Sequence, residues 1–271
     1  MRRRPPPGPD PDFPFLSEYD RYFFPPPETW GDSVIAVGGN LSPGMLLSAY
    51  EQGIFPWYNA DEPILWQSPE ARFVIFPEQL HVSASMEKVL RKGVFSVSLD
   101  QDFQGVIQGC AEMPRPGQDG TWISGDIIAA YGELHRLGWA HSAEAYQDGK
   151  LAGGCYGIRL GNAFFGESMF ARTSNASKAA FLSLARFLFA DEVRFIDCQV
   201  PTEHLRSLGG EEMDRLTFLA LLQETLASRN VRCEQGRLWR PAGADQADRR
   251  GNWGRGAVPG IIHTRKEHKN D

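Results

Sequence analysis

Three consecutive runs constrain this chain more than any other feature: WAHSAEAYQ (139–147), KLAGGCYGIRL (150–160) and AFFGESMF (163–170). Each has strand length and is rich in apolar or aromatic residues, and the joints between them are Asp148-Gly149 and Gly161-Asn162. Both pairs tolerate the positive φ that a two-residue hairpin requires, so the three runs are predicted to form an antiparallel meander. Before it, SGDIIAAYGELHRLG reads as a helix with Ser124 as cap, an apolar stripe at Ile127, Ile128, Tyr131 and Leu134, and Gly138 as stop. After it come a helix over NASKAAFLSLARFLFADE, a strand VRFIDCQV, and helical segments around TEHLRSLGG and DRLTFLALLQETLAS.

Upstream, Ser42-Pro43 opens a helix that ends at Gly53, and ILWQSPEARFVIFP has strand composition broken by Pro69. A short helix, MEKVLRK, carries Lys88, Arg91 and Lys92 at i, i+3 and i+4, hence on one face. Nine of the 19 prolines fall in residues 1–30, where they discourage regular structure and favour a tail or a wrapping strap. These breaks divide the chain into a Pro-rich tail (1–12), a small N-terminal α/β domain (13–72), a larger domain (73–240) and a polar tail (241–271) expected to be disordered. The class is α+β, and the larger domain looks like an acetyltransferase-type (GNAT-type) fold, in which a splay between strands holds an acyl donor.

With 42% hydrophobic and 23% charged residues, the 271-residue chain has the composition of a packed globular protein. Its apolar runs fall far short of the roughly 20 residues of a membrane helix, so no membrane span is predicted. MRRRPPPGPDPDF runs into prolines where a secretory signal would turn apolar, and the cytoplasm is the expected compartment. Cys110, Cys155, Cys198 and Cys233 are too widely spaced for a disulfide framework and are read as reduced core thiols. The net charge of −6 means that any polyanion has to meet a local basic patch.

Two acids stand out because they interrupt apolar strands. Asp197 in FIDCQ costs several kcal/mol if buried unpaired, so it is hydrogen-bonded, near solvent or at work. By strand alternation it shares a face with Gln199, while Cys198 points the other way. Glu167 in FFGESMF is equally out of place, and the two carboxylates can converge on a cleft or serve as an edge charge and a turn cap. GESMF lacks the second glycine of a nucleophile elbow, and His135 and His141 match no zinc spacing. The position where a coenzyme A-binding glycine loop would open the helix after the meander reads ARTSNASK, so the acyl donor is expected to be something other than coenzyme A.

The strings VIAVGGNLSPGMLLSAYEQGIFPWY, PILWQSPEARFVIFP, TWIS, HS-E, FGESMF, NASK and IDCQVPTEHLRSLGG together resemble the leucyl/phenylalanyl-tRNA–protein transferase family from about Phe13 to Trp239. The resemblance implies transfer of Leu or Phe from aminoacyl-tRNA to the N-terminal Arg or Lys of an acceptor protein, with no cofactor or metal, by a monomer. It assigns Asp197 as the carboxylate that receives the amine proton, Gln199 as its partner amide and Glu167 as the acid supporting that amide. Trp57 and Trp122 are implied contacts to the tRNA 3′ end. Met169, Ile196 and Phe181 are implied to line the Leu/Phe pocket, with Phe181 favouring leucine. Lys88, Arg91 and Lys92 face the tRNA acceptor stem in this reading. The alternatives are a related transferase of changed amino-acid specificity and an inactive module binding tRNA or N-termini.

Overall fold

The computed structural model describes residues 5–113 and 121–227. Cys233 and the polar segment 241–271 lie outside the described residues. Residues 5–30 form a strap whose few free donors are taken by the body behind it: Gly8 N–H by Glu62 O and Asp10 N–H by Gly39 O, both at 2.8 Å. Strand β1 (Val34–Val37), helix α1 (Pro43–Glu51) and strands β2 (Phe55–Pro56) and β3 (Leu65–Gln67) follow, the strands pairing in the order β1-β3-β2. Pro43 opens α1 as predicted, but Ser42 does not cap it. Its hydroxyl donates to Asn40 Oδ1 and accepts Leu16 N–H, fastening the strap to the helix.

Next come β4 (Ala71–Ile75), α2 (Ala84–Arg91), β5 (Ser96–Leu99), α3 (Phe103–Glu112) and α4 (Gly125–Arg136). Ser83 and Ser124 cap α2 and α4. The meander forms as β6 (Ala140–Gln147), β7 (Lys150–Leu160) and β8 (Ala163–Ala171), with Asp148 and Gly149 both at positive φ (51° and 73°) in the first turn. It leads into α5 (Ala176–Ala190), β9 (Phe195–Gln199), α6 (Glu203–Arg206), β10 (Glu211–Asp214) and α7 (Arg215–Ala227). Seven strands make one sheet, β10-β4-β9-β8-β7-β6-β5, antiparallel except for β8 and β9.

Both faces of this sheet are covered, which is why its inner strands read as unbroken apolar runs rather than alternating ones. A Cβ on Gly154 of β7 would meet Val106 of α3, whereas one on neighbouring Gly153 would meet Ala176 of α5, so the two helices lie on opposite faces. Phe165 and Phe195 join the buried cluster that includes α1, α3, α4 and α7, and their neighbours Phe164 and Ile196 join the cluster under α5.

The feature that positions the site is the parallel pair. β8 and β9 stay in register only from Ala163↔Phe195 to Phe165↔Asp197, although β8 continues to Ala171. Where the pairing stops, each strand carries an extra residue relative to its other neighbour. Against β7 the register jumps from Tyr156↔Ser168 to Gly157↔Gly166, leaving Glu167 as the bulged residue. Against β4 it jumps from Val74↔Asp197 to Phe73↔Gln199, leaving Cys198.

Candidate active site

A cavity of about 660 Å³ occupies the gap where β8 and β9 part. Its wall draws on both sides of the sheet: Trp57 and Trp122 pack against the cluster of α1, α3 and α4, while Phe181 and Leu184 belong to the cluster under α5. The opening therefore passes through the sheet rather than lying on one face. Trp57, Trp122, Met169, Phe181, Glu167 and Gln199 all line it. Ile196 does not: it is fully buried in the cluster that contains Phe181 and stands behind the wall.

Glu167 and Gln199 meet across the gap. The Gln199 amide donates to Glu167 Oε1 at 2.8 Å. Two phenols hold the same carboxyl, the Tyr50 hydroxyl donating to Oε1 at 2.7 Å and the Tyr131 hydroxyl to Oε2 at 3.1 Å. Burial outweighs these donors and the nearby Asp197 charge adds to it, so the Glu167 carboxyl is pushed up from 4.5 to about 7. Tyr50 and Tyr131, buried beside it, are raised well above the ordinary phenol value, chiefly by desolvation, and stay protonated.

Asp197 is placed differently from the acid that alternation suggests. It is fully buried, does not line the cavity, and is held by Arg72, whose Nε and terminal nitrogen reach its two oxygens at 2.6 to 3.1 Å. Arg72 is itself fully buried, lies over the rings of Phe55 (4.8 Å) and Phe218 (4.5 Å) and donates to Gly53 O. Asp197 Oδ1 also accepts the backbone N–H of Gln199 at 2.8 Å. The reading that Asp197 and Gln199 share a face with Cys198 opposite is thus corrected. The bulge at Cys198 and the left-handed backbone of Gln199 (φ 65°) break the two-residue period, and Cys198 and Gln199 both reach the cavity.

The remaining candidates lie elsewhere. Lys88, Arg91 and Lys92 are exposed on or just past α2. Of the HS-E string, His141 Nδ1 sits 2.7 Å from Asp100 Oδ2, and Glu144 is buried on β6, where the hydroxyls of Ser98 and Ser142 donate to it. None of the three lines the cavity. His135 lies 4.4 Å from Phe103 in a parallel ring stack. Among the described residues Cys110, Cys155 and Cys198 are buried and form no disulfide, and no group of three or more His, Cys, Asp or Glu is arranged to hold a metal.

Sequence reasoning missed Tyr50, Tyr131 and Arg72. The phenols were hidden in the apolar stripes of their helices. Arg72 was visible by the criterion that picked out the acids, a charge inside the apolar run RFVIF.

The family models and the related sequences agree with one another. A family model described as leucyl/phenylalanyl-tRNA protein transferase matches residues 74–223, and the model of that family's N-terminal domain matches residues 39–70. A protein of Anaeromyxobacter sp. (strain Fw109-5) named leucyl/phenylalanyl-tRNA–protein transferase is 53% identical over 219 residues, covering 79% of this chain and 92% of the relative. One of the same name from Saccharophagus degradans is 47% identical, covering 83% and 93%. Likeness to solved structures is weak: a conserved protein of unknown function from Bacteroides thetaiotaomicron aligns at 15% identity with a TM-score of 0.35, covering 51% of this chain and 53% of the other.

Proposed function

The chain belongs to the leucyl/phenylalanyl-tRNA–protein transferase family, and from that premise we propose that it transfers leucine or phenylalanine from aminoacyl-tRNA to the N-terminal Arg or Lys of acceptor proteins, marking them for N-end-rule degradation. An ester C–O bond breaks and a peptide C–N bond forms. The exchange is downhill, so the catalyst has to orient an unprotonated amine at the ester carbonyl and manage one proton. The proton leaves the amine and ends on the ribose oxygen of the departing tRNA.

The Glu167–Gln199 hydrogen bond inside a cavity reaching both faces of the sheet is the observation that carries this reading. An acetyltransferase-like placement of an acyl donor between parting parallel strands fits the same geometry. The terminal adenosine belongs on the Trp57 and Trp122 side, where stacking contributes about 1–3 kcal/mol per base. The amino-acid side chain belongs on the Met169 and Phe181 side, with Ile196 backing that wall. Glu167 receives the amine proton, a role the resemblance had given to Asp197, and Gln199 orients the reacting groups. Asp197 is a positioning residue, its carboxylate committed to Arg72 and to the Gln199 backbone. The exposed Lys88, Arg91 and Lys92 face the acceptor-stem phosphates. The working form is a cytoplasmic monomer; among the described residues no helix is long and apolar enough to cross a membrane.

The test is a donor and acceptor panel on the purified full chain: labelled Leu-, Phe- and Val-tRNA against peptides beginning with Arg, Lys or Ala. Transfer of Leu and Phe to Arg and Lys peptides alone is expected. Transfer confined to another donor establishes the changed-specificity alternative, and binding of tRNA without transfer establishes the idle module.

A further inference from the structure

The phenols around Glu167 present a counting problem. Tyr50 Oη lies 2.7 Å from Glu167 Oε1, Tyr131 Oη lies 3.1 Å from Oε2, and the two phenol oxygens lie 2.5 Å from each other. Three oxygen–oxygen contacts each call for a proton, and two phenols hold two. With the carboxylate ionised, one contact is left with facing lone pairs. With a proton on Oε2 the count closes: Oε2–H donates to Tyr131, Tyr131 donates to Tyr50, and Tyr50 donates to Oε1, which still accepts the Gln199 amide.

We infer that Tyr50 and Tyr131 are positioning residues that complete a closed three-proton ring with Glu167, and that this ring holds the proton in transit during aminoacyl transfer. The inference deepens the proposed function and rests on it. As the C–N bond forms, the amine proton passes to ionised Glu167 and closes the ring. As the C–O bond breaks, the same proton leaves Oε2 for the departing ribose oxygen and the ring reopens. One proton enters and one leaves, with no further reactant.

The surroundings suit such an exchanger. The Glu167 carboxyl titrates at about 7, raised by burial, so both protonation states are populated near neutral pH. The charged group acting on it from β9 is Asp197, bound to Arg72 of β4. From β7, Tyr156 acts on Tyr131, and the phenols come from α1 and α4, both sealed in the core. Donation to a carboxylate is stronger than donation to a neutral carboxyl, so each phenol lowers the titration midpoint of Glu167 relative to burial alone.

The test is a pH titration of the Glu167 carboxyl by difference infrared spectroscopy on the full chain, the band being assigned by its loss in Glu167→Gln. Tyr50→Phe and Tyr131→Phe, each removing one oxygen, are expected to raise the midpoint by about one pH unit. Transfer at pH 7 should fall about 5-fold, because moving the midpoint from about 7 to about 8 takes the ionised fraction from about one half to about one tenth, and recover as the pH passes the new midpoint. Thermal melting of each variant checks that the fold persists, and in the Glu167→Gln background neither tyrosine change should slow transfer further. Because removing either oxygen opens the ring, the double variant should shift the midpoint no further than a single one; an unmoved midpoint, shifts that add in the double variant as two separate donors would give, or a rate loss that alkali does not restore overturns the ring. Absence of a titrating band that Glu167→Gln removes, or full transfer by Glu167→Gln, overturns instead the assignment of Glu167 on which the ring rests.

Discussion

Above neutral pH the Glu167 carboxyl is ionised in a place that favours its neutral form, and that mismatch has a measurable consequence for stability. Its folded value of about 7 lies above the ordinary 4.5, so the native state binds the extra proton between those values, and stability falls as pH rises through that window. The full effect is on the order of 3 kcal/mol above pH 7. Glu167→Gln, whose amide can reproduce the neutral carboxyl's bonds, should therefore melt higher than the wild type at pH 8, with the gain shrinking toward pH 5, while losing roughly 10²- to 10⁴-fold in transfer. Asp197→Ala should behave oppositely in stability: it strands the buried Arg72 charge and should lower the unfolding free energy by about 3–5 kcal/mol in a denaturant titration. Phe181→Leu enlarges the α5 side of the cavity and should shift a Leu/Phe competition toward phenylalanine by about 10-fold. At this scale the sequence was informative wherever a charge interrupted an apolar strand. It was silent on the phenols, because a tyrosine in a helical stripe looks the same whether its hydroxyl meets water or a carboxylate.

Among the elements, the meander, α4, α5 and β9 were legible because turn chemistry, capping and periodicity all pointed the same way. The placement of Asp197, Cys198 and Gln199 was not. Strand alternation presumes an unbroken ladder, and bulges at Glu167 and Cys198 interrupt it beside the cavity. Helix α3 went unread although Asp102 accepts Gly105 N–H at its start, a cap of the kind used to find α4. Helix α2 is amphipathic, burying Met86 and leaving Lys88 and Arg91 exposed. If its exposed face meets phosphates, reversing Lys88, Arg91 and Lys92 to Glu should raise KM for aminoacyl-tRNA, leave KM for the acceptor peptide unchanged and flatten the salt dependence of transfer, as steady-state kinetics at several salt concentrations would read out.

For the whole molecule, the α+β class followed from element order, but the parallel pairing of β8 with β9 did not. That pairing depends on which strands the α5 crossover brings together, a long-range choice that no local pattern encodes. It matters because the parted strands open the sheet, letting Trp57, from before β4, meet residues of the meander and β9 in one cavity, with Tyr50 reaching the Glu167 carboxyl from behind its wall. The account turns on that cavity being where leucine changes partners. Its most direct test is the single-turnover rate at which labelled leucine passes from Leu-tRNA to an Arg-initiated peptide, measured for the wild type and for Glu167→Gln at pH 8. Rapid transfer by the wild type and a loss of at least about 100-fold in the variant are predicted; equal rates in a correctly folded variant would contradict the account.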